Sequence, residues 1–284
     1  MIKKIFGQIY IWLILLLMYL PILVLIVFSF TKATNVGEWT GFTFDLYPAL
    51  FQDTQIMIAL GNTILVAVIS ALVATLLGTL GAIGAFYLKR RWKNTVDFMT
   101  QIPLVNAEIV VAFSLTVMFV FLGTYVFKTR LFSFWTLLIG HVSLAIPFVF
   151  VSVKPKLQQM DPSLYEAAID LGASPSTALR KVVIPEILPG ILSGFLLSIT
   201  LSLDDFIITA FTRGSGLLSG ENNIETLSTL VQAKIKKGPI PVEMRALTTI
   251  IFILVVLAVI LITIYKNKAT KKSHAARRVV LNEK

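Results

Sequence analysis

Three carboxylates stand inside runs of apolar residues: Glu108 in PLVNAEIVVAF, and the adjacent pair Asp204 and Asp205 in LSLDDFIITAF. An aspartate at the centre of a membrane helix costs roughly 2.5 to 3.5 kcal/mol on insertion scales, so such groups face a bundle interior or a wet cavity. No lysine or arginine lies well inside these runs to neutralise them. Acids placed this way suit a cationic solute, through charge pairing at the carboxylates and cation–π contact with the rings of Phe206, Phe211 and Trp135. Successive helical residues point about 100° apart, so one aspartate can face a pathway while its neighbour caps or pairs with another helix. The residues leave open which does which. They also leave open a second reading, in which the aspartates hydrogen-bond across helices and only fix the bundle.

Catalysis finds no such constellation. The chain has no cysteine, which removes disulfides, thiolate metal sites and thiol chemistry. Its two histidines are His141, inside an apolar run, and His274, in a basic tail. Neither belongs to a metal-ligand spacing, and His141 reads as a helix-packing or hydrogen-bonding residue. No nucleophile with a base is apparent. No G-x-x-x-x-G-K-[ST] loop is present to cradle phosphates, so the chain is expected to bind no cofactor or metal of its own.

The elements that position the acids are membrane helices. Of the 284 residues 56% are hydrophobic and 14% charged, where a soluble domain carries about a quarter charged. Six apolar segments emerge. The first spans about 8–30, a retained helix rather than a cleaved signal, because the apolar run is long and no small-x-small site follows. An aromatic-rich segment with Trp39, Phe42, Phe44 and Tyr47 then passes near a membrane surface. The second helix covers about 56–88, with Gly78, Gly81, Gly84 and Ala85 as a small-residue packing face. The third, fourth and fifth cover about 102–127, 134–153 and 187–211. A long loop to Pro241 contains a helix-period stripe from Ile224 to Ile235, which either lies on the membrane surface or dips between helices. The sixth helix is placed at 245–265 and a basic tail at 266–284.

With the N-terminus inside, one side collects 17 lysines and arginines against 6 acids, while the other is near neutral. The net charge of +10 is therefore a topology signal rather than a sign of nucleic-acid binding. It places both termini and the stretch 161–190 in the cytoplasm.

That stretch, DPSLYEAAIDLGASPSTALRKVVIPEILPG, reads as two short helices around a hinge. Asp161 and Pro162 open the first and Gly172 closes it. Ser174 and Pro175 open the second, and Pro185 is expected to break it. Leu164, Ala167, Ala168 and Leu171 share one face of the first helix, and the alanines allow close approach of a partner.

Glu166-Ala167-Ala168, Gly172 and Val182-Val183-Ile184-Pro185 stand at the spacing of the EAA loop of type I ABC importer permeases, which this stretch resembles. HVSLAIPFVFVSVKPKL before it, LSLDDFIITAF after it, PLVNAEIV and EMRALTT extend the resemblance to the polyamine (spermidine/putrescine) branch over nearly the whole chain. Val182 and Ile184 stand where isoleucine and leucine are usual. The resemblance implies an all-α, six-helix permease domain over 1–265 in a bacterial cytoplasmic membrane. It also implies that the first loop helix is a coupling helix, with Glu166, Ala167, Ala168, Gly172, Leu164 and Leu171 meeting an ATPase. The expected partners are a homologous second permease subunit, two ATPase subunits carrying ATP and Mg, and an extracytoplasmic polyamine-binding protein. Glu108, Asp204, Asp205, Phe206 and Trp135 are the expected pathway residues. An ABC permease for another small solute and an ion-gradient-driven secondary transporter are the alternatives. The second leaves the hairpin unexplained and lacks an inverted repeat.

Overall fold

The computed structural model describes residues 2–35, 37–214, 224–237, 241–257 and 260. Among them every regular element is a helix: α1 (Ile2–Phe28), α2 (Leu46–Gln52), α3 (Thr54–Phe86), α4 (Arg90–Val105), α5 (Glu108–Phe121, continued by a π turn over Leu122–Phe127), α6 (Phe134–Gln159), α7 (Ser163–Asp170), α8 (Pro175–Ala178), a π turn (Leu179–Val183), α9 (Ile184–Asp204), α10 (Ile207–Thr212) and α11 (Leu227–Lys237). Residues 243–257 form a further helix, α12; residues 258–259 and 261–265 of the sixth expected span and the tail 266–284 lie outside the described residues. Among the described residues five helices are long and apolar enough to cross a bilayer: Gly7–Phe28, Thr54–Phe86, Glu108–Phe127, Phe134–Gln159 and Pro175–Asp204. The chain divides into two units, 1–54 with 234–284, and 55–233.

In the unit 55–233, α6 is the central helix. Val149 on α6 is fully buried between two glycines. A β-carbon on Gly78 of α3 would stand 2.7 Å from Val149 Cβ, and one on Gly194 of α9 would stand 3.1 Å from Val149 Cα. Gly190, Gly194, Ser198 and Ser202 recur every fourth residue and are all buried, which gives α9 a small-residue stripe against α6. The stripe on α3 is Ala67, Ala71, Ala74, Gly78, Ala82 and Ala85. Gly81 lies at the edge of the packing face, exposed but with the Phe150 ring of α6 3.8 Å from a built β-carbon, while Gly84 turns to the open side with nothing within 4 Å. Gly78→Ala should therefore destabilise the purified protein by about 1–3 kcal/mol, the usual cost of overpacking, while Gly84→Ala leaves thermal unfolding unchanged. Equal melting temperatures for the two variants would contradict this packing.

Three expected helices are divided differently. The third begins at Glu108, not Ile102. Asn106 and Ala107 are extended (ψ 146° and 134°), and the residues before them form the separate helix α4. Nothing on α4 is fully buried; Val96 packs on the core edge, and an ion pair of 2.7 Å joins Asp97 to Lys154 of α6. The fifth helix stops at Asp204 and restarts at Ile207, because Asp205 is extended (ψ 126°). Pro185, by contrast, ends nothing: α8, the π turn and α9 run on as one helix from Pro175 to Asp204. The residue facing the Pro185 ring one turn earlier is Lys181, inside the π turn, where the wider spiral absorbs the missing donor.

The segment around Ile224 dips between helices. Ile224 is buried in the core, Asn62 Nδ2 donates to the Glu225 carbonyl at 3.0 Å, and the Leu227 amide donates to Thr63 Oγ1 at 2.8 Å. In the other unit, the buried Arg245 guanidinium donates to the Ala33 and Thr34 carbonyls at 2.7 and 2.6 Å, tying the start of α12 to the segment after α1.

Candidate functional site

The break between α9 and α10 is built by Asp205. Its Oδ1 accepts from the Ile208 amide (3.2 Å), and its Oδ2 accepts from the Thr209 amide (2.9 Å) and hydroxyl (3.1 Å). These are the orphan donors at the start of α10, and a carboxylate there also meets the positive end of the short helix. The Asp205 carbonyl accepts from Ser228 Oγ at 2.6 Å. Asp205 is 6% exposed.

Behind it runs a buried polar chain. Ser70 of α3 donates to Ser202 of α9 (3.2 Å), Ser202 bonds His141 Nδ1 (2.7 Å), and His141 Nε2 bonds Thr209 Oγ1 (2.9 Å). Thr209 gives its only hydroxyl proton to Asp205, so it must accept from His141; Nε2 carries the proton and Nδ1 accepts from Ser202. Every group then has a donor or acceptor in one consistent direction, across α3, α6, α9 and α10. This confirms His141 as a hydrogen-bonding residue of the helix packing. The chain through Ser70, Ser202, Thr209 and Ser228 escaped the sequence reading, although the four-residue stripe ending at Ser202 carried part of the signal.

Asp204 is separated from its neighbour by this arrangement. It is exposed, at the C-terminal end of α9, and Glu108 is exposed in the first turn of α5. α5 packs against α10: Val111 and Ala112, about one turn beyond Glu108, share an apolar cluster with Ile207 and Ile208, just beyond the two aspartates. Among the described residues no lysine or arginine pairs with any of the three; His141 is the basic side chain beside Asp205, at 3.5 Å. Two helices also end here, α4 just before Glu108 and α9 at Asp204, and helix C-termini carry partial negative charge. Phe206 is half-buried at the start of α10, and Phe211 meets Phe113 edge-on at 6.5 Å. Trp135 is exposed near the start of α6 with its ring edge against Phe134; among the described residues no contact joins it to the acids.

The second place of interest is α7. Asp161 Oδ1 accepts from the Ser163 amide at 3.0 Å, which holds its carboxyl below the usual carboxylate range. The stabilisation this gives the helix start is present at neutral pH and fades as pH falls through the lowered value. At the other end Gly172 adopts φ +85°, and the amides of Gly172 and Ala173 close the helix on the Ile169 and Ala168 carbonyls at 2.8 and 3.0 Å. Tyr165 anchors the helix: it packs on the core edge and its ring lies 5.5 Å from that of Tyr87, just beyond α3. With Tyr165 inward, Leu164, Glu166, Ala167 and Leu171 are exposed, Leu171 at 90%, and Ala168 is half-buried. Nothing in α7 is fully buried.

The chain belongs to the family of binding-protein-dependent transport system inner membrane components, whose sequence pattern matches residues 74–271. It is thus a multi-pass permease subunit of the type I ABC importer class, a transport component and not an enzyme; the family's function implies ATPase and binding-protein partners. Within the family it is similar to the spermidine/putrescine transport system permease protein PotC of Escherichia coli K12, at 35% identity over 89% of this chain and 91% of that one. The Haemophilus influenzae PotC is 34% identical over 88% and 92% of the two chains. The putrescine transport system permease protein PotI of E. coli K12 is 34% identical over 82% and 81%. The fold matches a crystal structure of a bacterial ABC transporter involved in import of the acidic polysaccharide alginate, with TM-score 0.67 and 16% identity over 94% of this chain and 96% of that chain.

Proposed function

We propose that this chain is a permease subunit that imports polyamines such as spermidine and putrescine, driven by ATP bound with Mg on separate ATPase subunits. The observation that carries the substrate class is the placing of Glu108 in the first turn of α5 and Asp204 at the end of α9, beside the α5–α10 packing, without a described lysine or arginine to neutralise them. A linear polyamine presents ammonium groups separated by methylenes, which match spaced carboxylates interleaved with apolar rings. The relatives named for spermidine and putrescine point the same way. In this reading Asp204 and Glu108 face the solute with Phe206 beside them. Asp205 shapes the break, and Trp135 meets the solute only if the pathway extends toward the start of α6.

The assembly comprises this chain, a homologous second permease, two ATPases and an extracytoplasmic polyamine-binding protein, with both termini of this chain in the cytoplasm. The face of α7 bearing Leu164, Glu166, Ala167 and Leu171 seats on an ATPase, Ala168 lines its edge, and Gly172 sets its angle. Closure of the ATPases moves α7, and Tyr165 passes the movement to α3 through Tyr87. An aromatic pair is worth about 0.5–1.5 kcal/mol, so Tyr165→Ala should lower uptake per ATP hydrolysed by up to about tenfold, while Tyr165→Phe keeps it. An unchanged ratio of transport to hydrolysis in Tyr165→Ala vesicles counts against this linkage. The function as a whole is tested by labelled-polyamine uptake into vesicles holding the complete complex, with and without ATP.

A further inference from the structure

The segment following α1 contains more exposed aromatic surface than any packing role requires. Phe30 and Phe42 stack with centroids 5.3 Å apart and planes at 12°; Phe44 stands edge-on to both, at 5.5 and 5.0 Å; Tyr47 lies 5.8 Å from Phe30. The plate is fastened by the Thr43 amide on the Phe30 carbonyl (2.8 Å), by the Tyr47 hydroxyl on Ser29 Oγ (3.0 Å) and by the Lys32–Asp45 ion pair. Its outer rings remain bare: Phe42 is 65% exposed and Phe44 60%, with Trp39 and Phe51 also exposed. Beside Phe42 opens a cavity of about 420 Å³ bordered by Lys32, Thr40, Gly41 and Thr43, so an ammonium and two hydroxyl-bearing residues border the apolar plate.

We propose that this plate is a membrane-interface anchor, lying in the headgroup region of the leaflet reached by the end of α1. What identifies lipid as the occupant is continuity with the span itself. The apolar helix Gly7–Phe28 ends one residue before Ser29, and its last ring, Phe28, meets Trp39 edge-on at 6.4 Å. Tryptophan and tyrosine concentrate at this depth, where one side is apolar and the other wet; here they are Trp39 and Tyr47, and the bare phenylalanine rings between them are purely apolar surface that lipid would cover. The plate holds the end of α1 at a fixed height, and the tie from Arg245 to Ala33 and Thr34 fixes the start of α12 with it. The proposal does not depend on which solute is carried.

The natural chain has no cysteine, so single nitroxide labels can be placed by Trp39→Cys, Phe42→Cys and Phe51→Cys, with Glu38→Cys as the wet reference, in the full complex with cysteine-free partners in nanodiscs. Collision with oxygen and with a water-soluble nickel chelate gives the depth of each label. The anchor predicts that labels at 39, 42 and 51 meet oxygen more and the chelate less than the label at 38. Three positions keep the test decisive if one variant fails to fold. Free chelate access at all folded positions overturns the proposal. So does chelate access that disappears only when the binding protein is added, which would assign the plate to that protein.

Discussion

Gly172→Pro is expected to abolish ATP-driven uptake in a complex that still assembles. Gly172 sits at φ +85°, where proline, held near −65°, cannot follow, and its amide donates to the Ile169 carbonyl at 2.8 Å. Losing both costs about 3 kcal/mol or more, equivalent to about 100-fold in an equilibrium between the closed and the unwound end of α7. The cost falls on α7 alone. Nothing lies within 4 Å of a β-carbon at Gly172, and no residue of α7 is fully buried, so the bundle loses no packing. Gly172→Ala keeps the donor and suffers only the left-handed backbone, and should be intermediate. Co-purification with the ATPases separates assembly from transport, and wild-type uptake by Gly172→Pro vesicles would refute the coupling role of the hairpin.

The second large effect separates the adjacent aspartates. Asp204→Asn removes an exposed charge that makes no described hydrogen bond, so the protein should fold and assemble normally while polyamine uptake is lost. Asp205→Asn strikes the cap. An amide has one acceptor oxygen where the carboxylate uses two, so at least one of the Ile208 and Thr209 amides and the Thr209 hydroxyl loses its partner. A buried donor left unpaired costs about 1–3 kcal/mol, so this variant should lose thermal stability as well as uptake. Normal labelled-polyamine uptake in both single mutants would sink the pathway assignment.

The residues told the architecture more readily than the breaks within it. Long apolar runs are averages over many positions, and they survive any local surprise. The hairpin at 161–172 was legible for a different reason: Asp161, Gly172 and Ser174 each act through their own backbone, with no distant partner. The breaks at Asn106–Ala107 and Asp205–Phe206 were hidden because an apolar run reads the same whether or not its helix is interrupted. The cap Asp205 makes on the Ile208 and Thr209 amides is local, but its burial beside His141 and Ser228 depends on α6 and α11 being brought to it. Pro185 misled in the opposite direction, since the π turn that accommodates it depends on where Val183 and Ile187 pack in the core. Gly84 shows that a glycine is a packing residue only on the face another helix approaches.

The central claim is ATP-driven import of polyamines through this subunit. Its most direct test is labelled spermidine uptake into vesicles containing the chain, its partner permease, the ATPases and the binding protein, competed by polyamines, amino acids, sugars and oxyanions. Uptake that requires ATP and is displaced by polyamines alone is the predicted result. Uptake that survives without the ATPases and collapses with the proton gradient, or that yields equally to another solute class, would contradict it.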